Sequence, residues 1–214
     1  MPDIERRFTR HNSRPEVQTR DGRPPMIVGY AAVFYDENDP GTEYPLYDDL
    51  VERIMPGAFD RAIREDDVRG LFNHDDSLVL GRCKSGTMRL SVDRRGLRYE
   101  IDPPDTQTGR DLITLLQRGD VDGSSFAFLP DDTTYRQQGD TYVVERNSVK
   151  LFDVGPVAYP AYASTEAGVR GVGNVESVRR ELQDWKQKHR NEPLASILAR
   201  ARAVTTLLRE SNSA

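Results

Sequence analysis

MRLSVDRRGLRYEI, residues 88–101, decides the fold class. Residues 88–92 and 97–101 are short runs rich in Leu, Val, Ile and Tyr, and Asp93-Arg94-Arg95-Gly96 between them has the composition of a hairpin turn. Seven more runs share this texture, punctuated by Gly, Pro or Asp: MIVGYAAVF (26–34), LVERIM (50–55), VRGLFNH (68–74), LVLGRC (78–83), SSFAFLP (124–130), TYVVER (141–146) and SVKLFDVGPVAY (148–159). About nine strands are therefore expected, with a second hairpin at Gln137-Gln138-Gly139-Asp140. So many short strands need their edges closed or covered. The expected fold is α+β, with an antiparallel β-barrel or strongly bent sheet as core and helices packed outside.

Two helices interrupt the strands. Pro56 would sit in the first turn of one, with Phe59 and Ile63 on one face. Thr108 and Asp111 form a capping-box pattern for the other, which would bury Leu112, Leu115 and Leu116 and stop at Gly119. Residues 1–25 carry arginines, prolines and almost no apolar periodicity, so a flexible leader is expected there. Residues 26–165 form the expected domain. Beyond it, residues 166–214 read as a Gly-rich linker and a helical tail: Val175, Val178, Leu182 and Trp185 share one stripe, and Leu194, Ile197, Leu198, Ala201, Val204 and Leu208 continue it after Asn191. That stripe would dock on the body or pair with a second copy, giving a homo-oligomer.

Composition narrows the chemistry. The 214 residues allow one domain plus attachments, large enough for a core without disulfides. A single cysteine, Cys83, forbids an internal disulfide and reads as a packed strand residue, and three histidines make a metal site improbable. No cofactor or metal is expected. No apolar stretch approaches the roughly 20 residues needed to span a bilayer, and no apolar segment follows the N-terminal arginines as in a secretory signal. The net charge of −5 is uneven: residues 1–25 hold six basic and four acidic groups and residues 167–214 nine and five, leaving −11 on residues 26–166. An acidic body argues against specific nucleic-acid binding.

His11 and His189 lie in the ends, so His74 is the only histidine of the body. Alone, such a residue is more often a surface or satisfied core histidine. The second signal is Asp122-Gly123-Ser124-Ser125-Phe126-Ala127-Phe128, where a strand would show Ser125 and Ala127 on one face and the phenylalanines on the other. A serine hydroxyl becomes a nucleophile when an imidazole takes its proton and a third group fixes the imidazole's tautomer. The G-x-S-x-G elbow of α/β-hydrolases is missing, which disfavours an esterase of that kind.

Gly29-Tyr30-Ala31-Ala32-Val33-Phe34, Glu52-Arg53-Ile54-Met55-Pro56-Gly57-Ala58-Phe59, Phe72-Asn73-His74-Asp75, Ser125-Phe126-Ala127-Phe128 and residues 151–162 (LFDVGPVAYPAY), in that order, resemble the prohead maturation proteases of tailed bacteriophages. That family is similar to the herpesvirus assemblins, serine proteases with a β-barrel core and surrounding helices. The resemblance implies that His74 is the general base and Ser125 the nucleophile, with Ser124 the weaker choice. Assemblins use a second histidine as third member and this body has none, so a carboxylate is implied: Asp153, with Asp75 and Asp76 as rivals. Arg136 is a weak match to the assemblin arginine loop that serves the oxyanion. The resemblance further implies cleavage of the scaffolding protein, or the scaffold-like extension of the major capsid protein, inside the assembling procapsid in the host cytoplasm. Self-cleavage is implied too, with both basic ends expendable. The alternative is a non-catalytic scaffold-binding capsid-assembly module.

Overall fold

Gly139, at φ +60°, and Asp140 turn the longest hairpin of the molecule, in which Gln138 pairs with Thr141 and the register runs to Gly123 opposite Val157. A computed structural model of the chain describes residues 4–9, 14–158 and 175–189. In chain order the elements are β1 (Glu5–Thr9), β2 (Glu16–Arg20), β3 (Arg23–Val33), β4 (Tyr44–Tyr47), β5 (Leu50–Ile54), α1 (Ala62–Glu65), β6 (Arg69–Leu71), β7 (Val79–Arg82), β8 (Met88–Val92), β9 (Gly96–Ile101), α2 (Gln107–Arg118), β10 (Gly123–Gln138), β11 (Thr141–Val157) and α3 (Val175–His189). The predicted runs 141–146 and 148–159 merge into one strand, β11.

The α+β class holds, but the antiparallel barrel does not. Among the described residues two separate sheets form instead. One follows the order β1-β10-β11-β5-β4, with β6 on β11 and β7 on β6; the other follows β2-β3-β9-β8. β11 takes two parallel partners, β5 along its first half and β6 near its end. Among the described residues the edges stay open and are blunted locally: Pro45 in the edge strand β4 has no N–H to offer a further strand.

One buried cluster fills the space between the sheets. Ile27, Met88, Tyr99 and Ile101 from the second sheet meet Phe126, Phe128, Val149, Leu151 and Val154 from the first, with Leu112 and Leu116 of α2. Phe126 and Phe128 stack at 5.1 Å and Phe59 meets Phe126 edge-on at 5.6 Å. α2 is capped by Thr106, whose Oγ accepts from the Gly109 N–H at 3.3 Å, two residues before the expected cap, and ends at the left-handed Gly119 as predicted. The expected helix at Pro56 shrinks to α1, because Gly57 at φ +91° cannot propagate a right-handed helix. Cys83 is half-buried just after β7, and burial, with Asp67 nearby, pushes its thiol up, as suits a packed residue.

The leader needs the largest correction. Residues 5–9 and 16–20 are strands rather than flexible chain, and β1 joins β10 along the edge of the first sheet. Its inward face is ionic: Glu5, Arg7 and Thr9 are buried. Thr9 donates its hydroxyl to the Ala31 carbonyl on β3. Arg7 bonds Glu5 and Glu52, and Arg146 bonds Glu52 at 2.7 Å and Glu5 at 3.3 Å, so two guanidiniums and two carboxylates neutralise one another in the core.

Residues 1–175 form one compact unit and residues 176–214 another. In α3, Val178 and Leu182 are buried and lie one turn apart. The linker expected at 164–174 and the second helix expected after Asn191 lie outside the described residues. No helix among the described residues is long and apolar enough to cross a membrane.

Candidate active site

Alternation along β10 puts Ser124 on one face with Phe126 and Phe128 and Ser125 on the opposite face with Ala127, and all five residues are fully buried. Ser124 is fully buried, 2.8 Å from the Tyr99 hydroxyl across the two sheets. Burial pushes the Tyr99 phenol far up, so it stays protonated and can donate there. Gly29 makes room for this ring, since a Cβ at that position would stand 2.4 Å from the Tyr99 Oη.

On the face opposite Phe126, Ser125 pairs with Gly155 and Ala127 with Asp153, so Ser125 and Asp153 are diagonal neighbours on adjacent strands. His74 arrives from β6, which runs parallel to β11 with Arg69 opposite Asp153. Beyond β6 the chain makes a tight turn closed by the Asp75 N–H on the Phe72 carbonyl at 3.1 Å, with Asn73 and His74 both at φ +57°. Two consecutive left-handed residues other than glycine are costly, and asparagine bears this best. Asn73 is also held by its partners: its N–H donates to the Pro156 carbonyl at 3.1 Å and its Oδ1 accepts from the Ala158 N–H at 2.9 Å. Gly155 permits the close approach, because a Cβ there would lie 1.9 Å from the Leu71 carbonyl oxygen.

The turn delivers the imidazole between the other two groups. His74 Nδ1 is 2.5 Å from Asp153 Oδ1, and His74 Nε2 is 2.5 Å from Ser125 Oγ. A carboxylate only accepts, so Nδ1 carries the ring proton and Nε2 is left to accept from the serine. The side chains of His74 and Asp153 are 7% and 12% exposed, so water competes little with this line of hydrogen bonds. Ser125 has a second acceptor in the Arg7 carbonyl at 2.9 Å. Its one proton must choose. A neutral imidazole can accept it at Nε2, whereas an imidazolium would donate to Oγ and leave the Ser125 O–H to donate to the Arg7 carbonyl.

The rival residues stand elsewhere. Asp75 accepts from the Ser77 N–H and hydroxyl, which hold its carboxyl below the usual range, and Asp76 is exposed. Arg136 lies eleven residues beyond Ser125 on β10, roughly 35 Å along an extended strand, and is bonded to Glu145. Reading the sequence missed β1, which flanks Ser125 with Phe8 opposite it in register. The Phe8 ring stands edge-on to His74, 6.2 Å between centroids.

No match was found among curated proteins or solved structures. The family model described as caudovirus prohead serine protease matches residues 13–178, a span that includes His74, Ser125 and Asp153. With more than half its length matched, the chain belongs to the caudovirus prohead serine protease family.

Proposed function

We propose that the chain is a serine endopeptidase with Ser125 as nucleophile, His74 as general base and Asp153 as the group that orients and supports the imidazole. The supporting observation is the unbroken line Ser125–His74–Asp153, closed by two contacts of 2.5 Å. Oγ attacks the peptide carbonyl as its proton passes to Nε2, and the tetrahedral adduct collapses as Nε2–H protonates the leaving amine. Water then enters, loses a proton to Nε2 and hydrolyses the acyl-Ser125 ester. Asp153 holds Nδ1–H throughout and steadies the imidazolium between the two half-reactions.

The substrates on this reading are the scaffolding protein or the scaffold-like extension of the major capsid protein, met inside the procapsid in the host cytoplasm, and the chain itself. Self-cleavage belongs in the Gly-rich stretch 164–174 and not at residues 5–9, whose strand is built into the core. Mass spectrometry of the matured enzyme should recover peptides through residues 5–9 and lose those beyond the linker. A mature chain that begins after residue 9 would contradict this placement.

A fluorophosphonate tests the chemistry directly. It is expected to modify Ser125 alone, and labelling of Ser124 or of neither serine would overturn the assignment. Gly155→Ala should block labelling without touching a reacting atom, because its methyl group would push the Leu71 carbonyl, and the turn behind it, off β11. A displacement of about 1 Å costs on the order of 100-fold in rate, and the overpacking about 1–3 kcal/mol of stability. Labelling rate and thermal denaturation measure the two.

A further inference from the structure

Alternation along β1 that buries Glu5, Arg7 and Thr9 puts Arg6 and Phe8 on the opposite face, the one that carries Ser125, His74 and Asp153. Phe8 is seated against His74. Arg6 lies opposite Ala127, which is itself opposite Asp153, so the three form a row two residue pairs from the row of Phe8, Ser125 and Gly155, roughly 7 Å along the strands. That distance is within the span of an arginine side chain.

Arg6 differs from the arginine beside it. Arg7 is bonded to two carboxylates, whereas Arg6 Nε is shielded from solvent and has no hydrogen-bond partner. Arg6 forms no ion pair among the described residues, and Asp153, the carboxylate in its row, is engaged by His74 Nδ1. Buried donors are nearly always satisfied, and an unsatisfied one close to a candidate nucleophile is a donor available to an acceptor on a ligand.

We propose that Arg6 is a specificity-determining residue whose guanidinium takes the carboxylate of an Asp or Glu side chain within two residues of the scissile bond. This rests on the protease reading. A guanidinium presents paired N–H donors that match a carboxylate in two parallel hydrogen bonds, and it never loses its charge. A role for the oxyanion fits less well. Its donors must lie about 3 Å from an oxygen on the carbon that Ser125 attacks, and Arg6 stands in the neighbouring row. β1 lies before residue 13, where the family match begins.

The full chain and its Arg6→Gln and Arg6→Lys variants are incubated with a library of peptides from a proteome digest, and the new termini are read by mass spectrometry. The parent should enrich Asp or Glu within two residues of the cut. Its preference for an acidic peptide over the matching Asn or Gln peptide, as a ratio of kcat/KM, should fall about 10-fold or more in Arg6→Gln and less in Arg6→Lys. Fluorophosphonate labelling of Ser125 in both variants shows that the fold and nucleophile persist. No acidic enrichment by the parent, or equal losses on acidic and amide peptides, would overturn the role of Arg6 while leaving the protease reading intact. An unlabelled Ser125 and an uncut library would overturn both.

Discussion

Ser125→Ala is expected to end processing, with kcat/KM lower by about 10⁴-fold or more. The substitution removes the oxygen that His74 Nε2 contacts among the described residues, and Ser124 cannot replace it, since its hydroxyl lies on the core face against Tyr99. His74→Ala should cost a similar factor, and the double variant little more, because nucleophile and base act as one unit. Asp153→Asn is expected to approach the same loss while keeping the geometry, since an amide can donate to Nδ1 and so favour the wrong tautomer. Stability separates this from misfolding: Ser125→Ala should unfold within about 1 kcal/mol of the parent. Ser124→Ala provides the opposite control, losing its bond to Tyr99 but retaining cleavage. Rates on a scaffold-derived peptide and urea denaturation of each variant measure both quantities. Cleavage by Ser125→Ala at the parental rate would sink the mechanism.

Glu52→Ala should produce the largest loss of stability, about 3–5 kcal/mol, because it leaves Arg7 and Arg146 with only Glu5 between them and so one buried positive charge uncompensated. Domains have only about 5–15 kcal/mol in hand, so the urea midpoint should fall steeply. The pH dependence follows from the same group. Burial pushes the Glu52 carboxyl up, but the charges and hydrogen bonds of Arg7 and Arg146 outweigh it and bring the net value below the ordinary 4.5. A lowered folded-state value means stability that is fully present above about pH 4.5 and is lost as pH falls through the lower value. Acid should therefore erode the parent more than Glu52→Ala, narrowing their difference between neutral pH and about pH 3. A constant difference over that range would show that the carboxylate is not the source.

Much of this was legible before any coordinates. The hairpins at 93–96 and 139–140 follow from turn composition, and Ser125 and His74 stood out through alternation beside the phenylalanines and the scarcity of histidine. Asp153 came from family resemblance, since nothing local marks one strand carboxylate above another. β1 was invisible for a physical reason. Its buried face is Glu5, Arg7 and Thr9, which shows no apolar periodicity, and the charges that make burial tolerable lie 45 residues away for Arg7 with Glu52 and 141 for Glu5 with Arg146. The barrel failed for a related reason. Strand number and length leave open which edge β6 joins, and its parallel pairing with β11 depends on the missing side chain at Gly155.

The pairing of β1 with β10 also bears on time. Phe8 faces a serine 117 residues further along the chain, and Asp153 comes later still. A chain emerging from the ribosome N-terminus first has no complete site until β11 has been made and has closed on β10 and β6. Contacts this distant in sequence form slowly, because long loops must close before they are rewarded. On the protease reading, the three residues can meet only after the last of them has been made and paired, so the site is completed late in the folding of the domain.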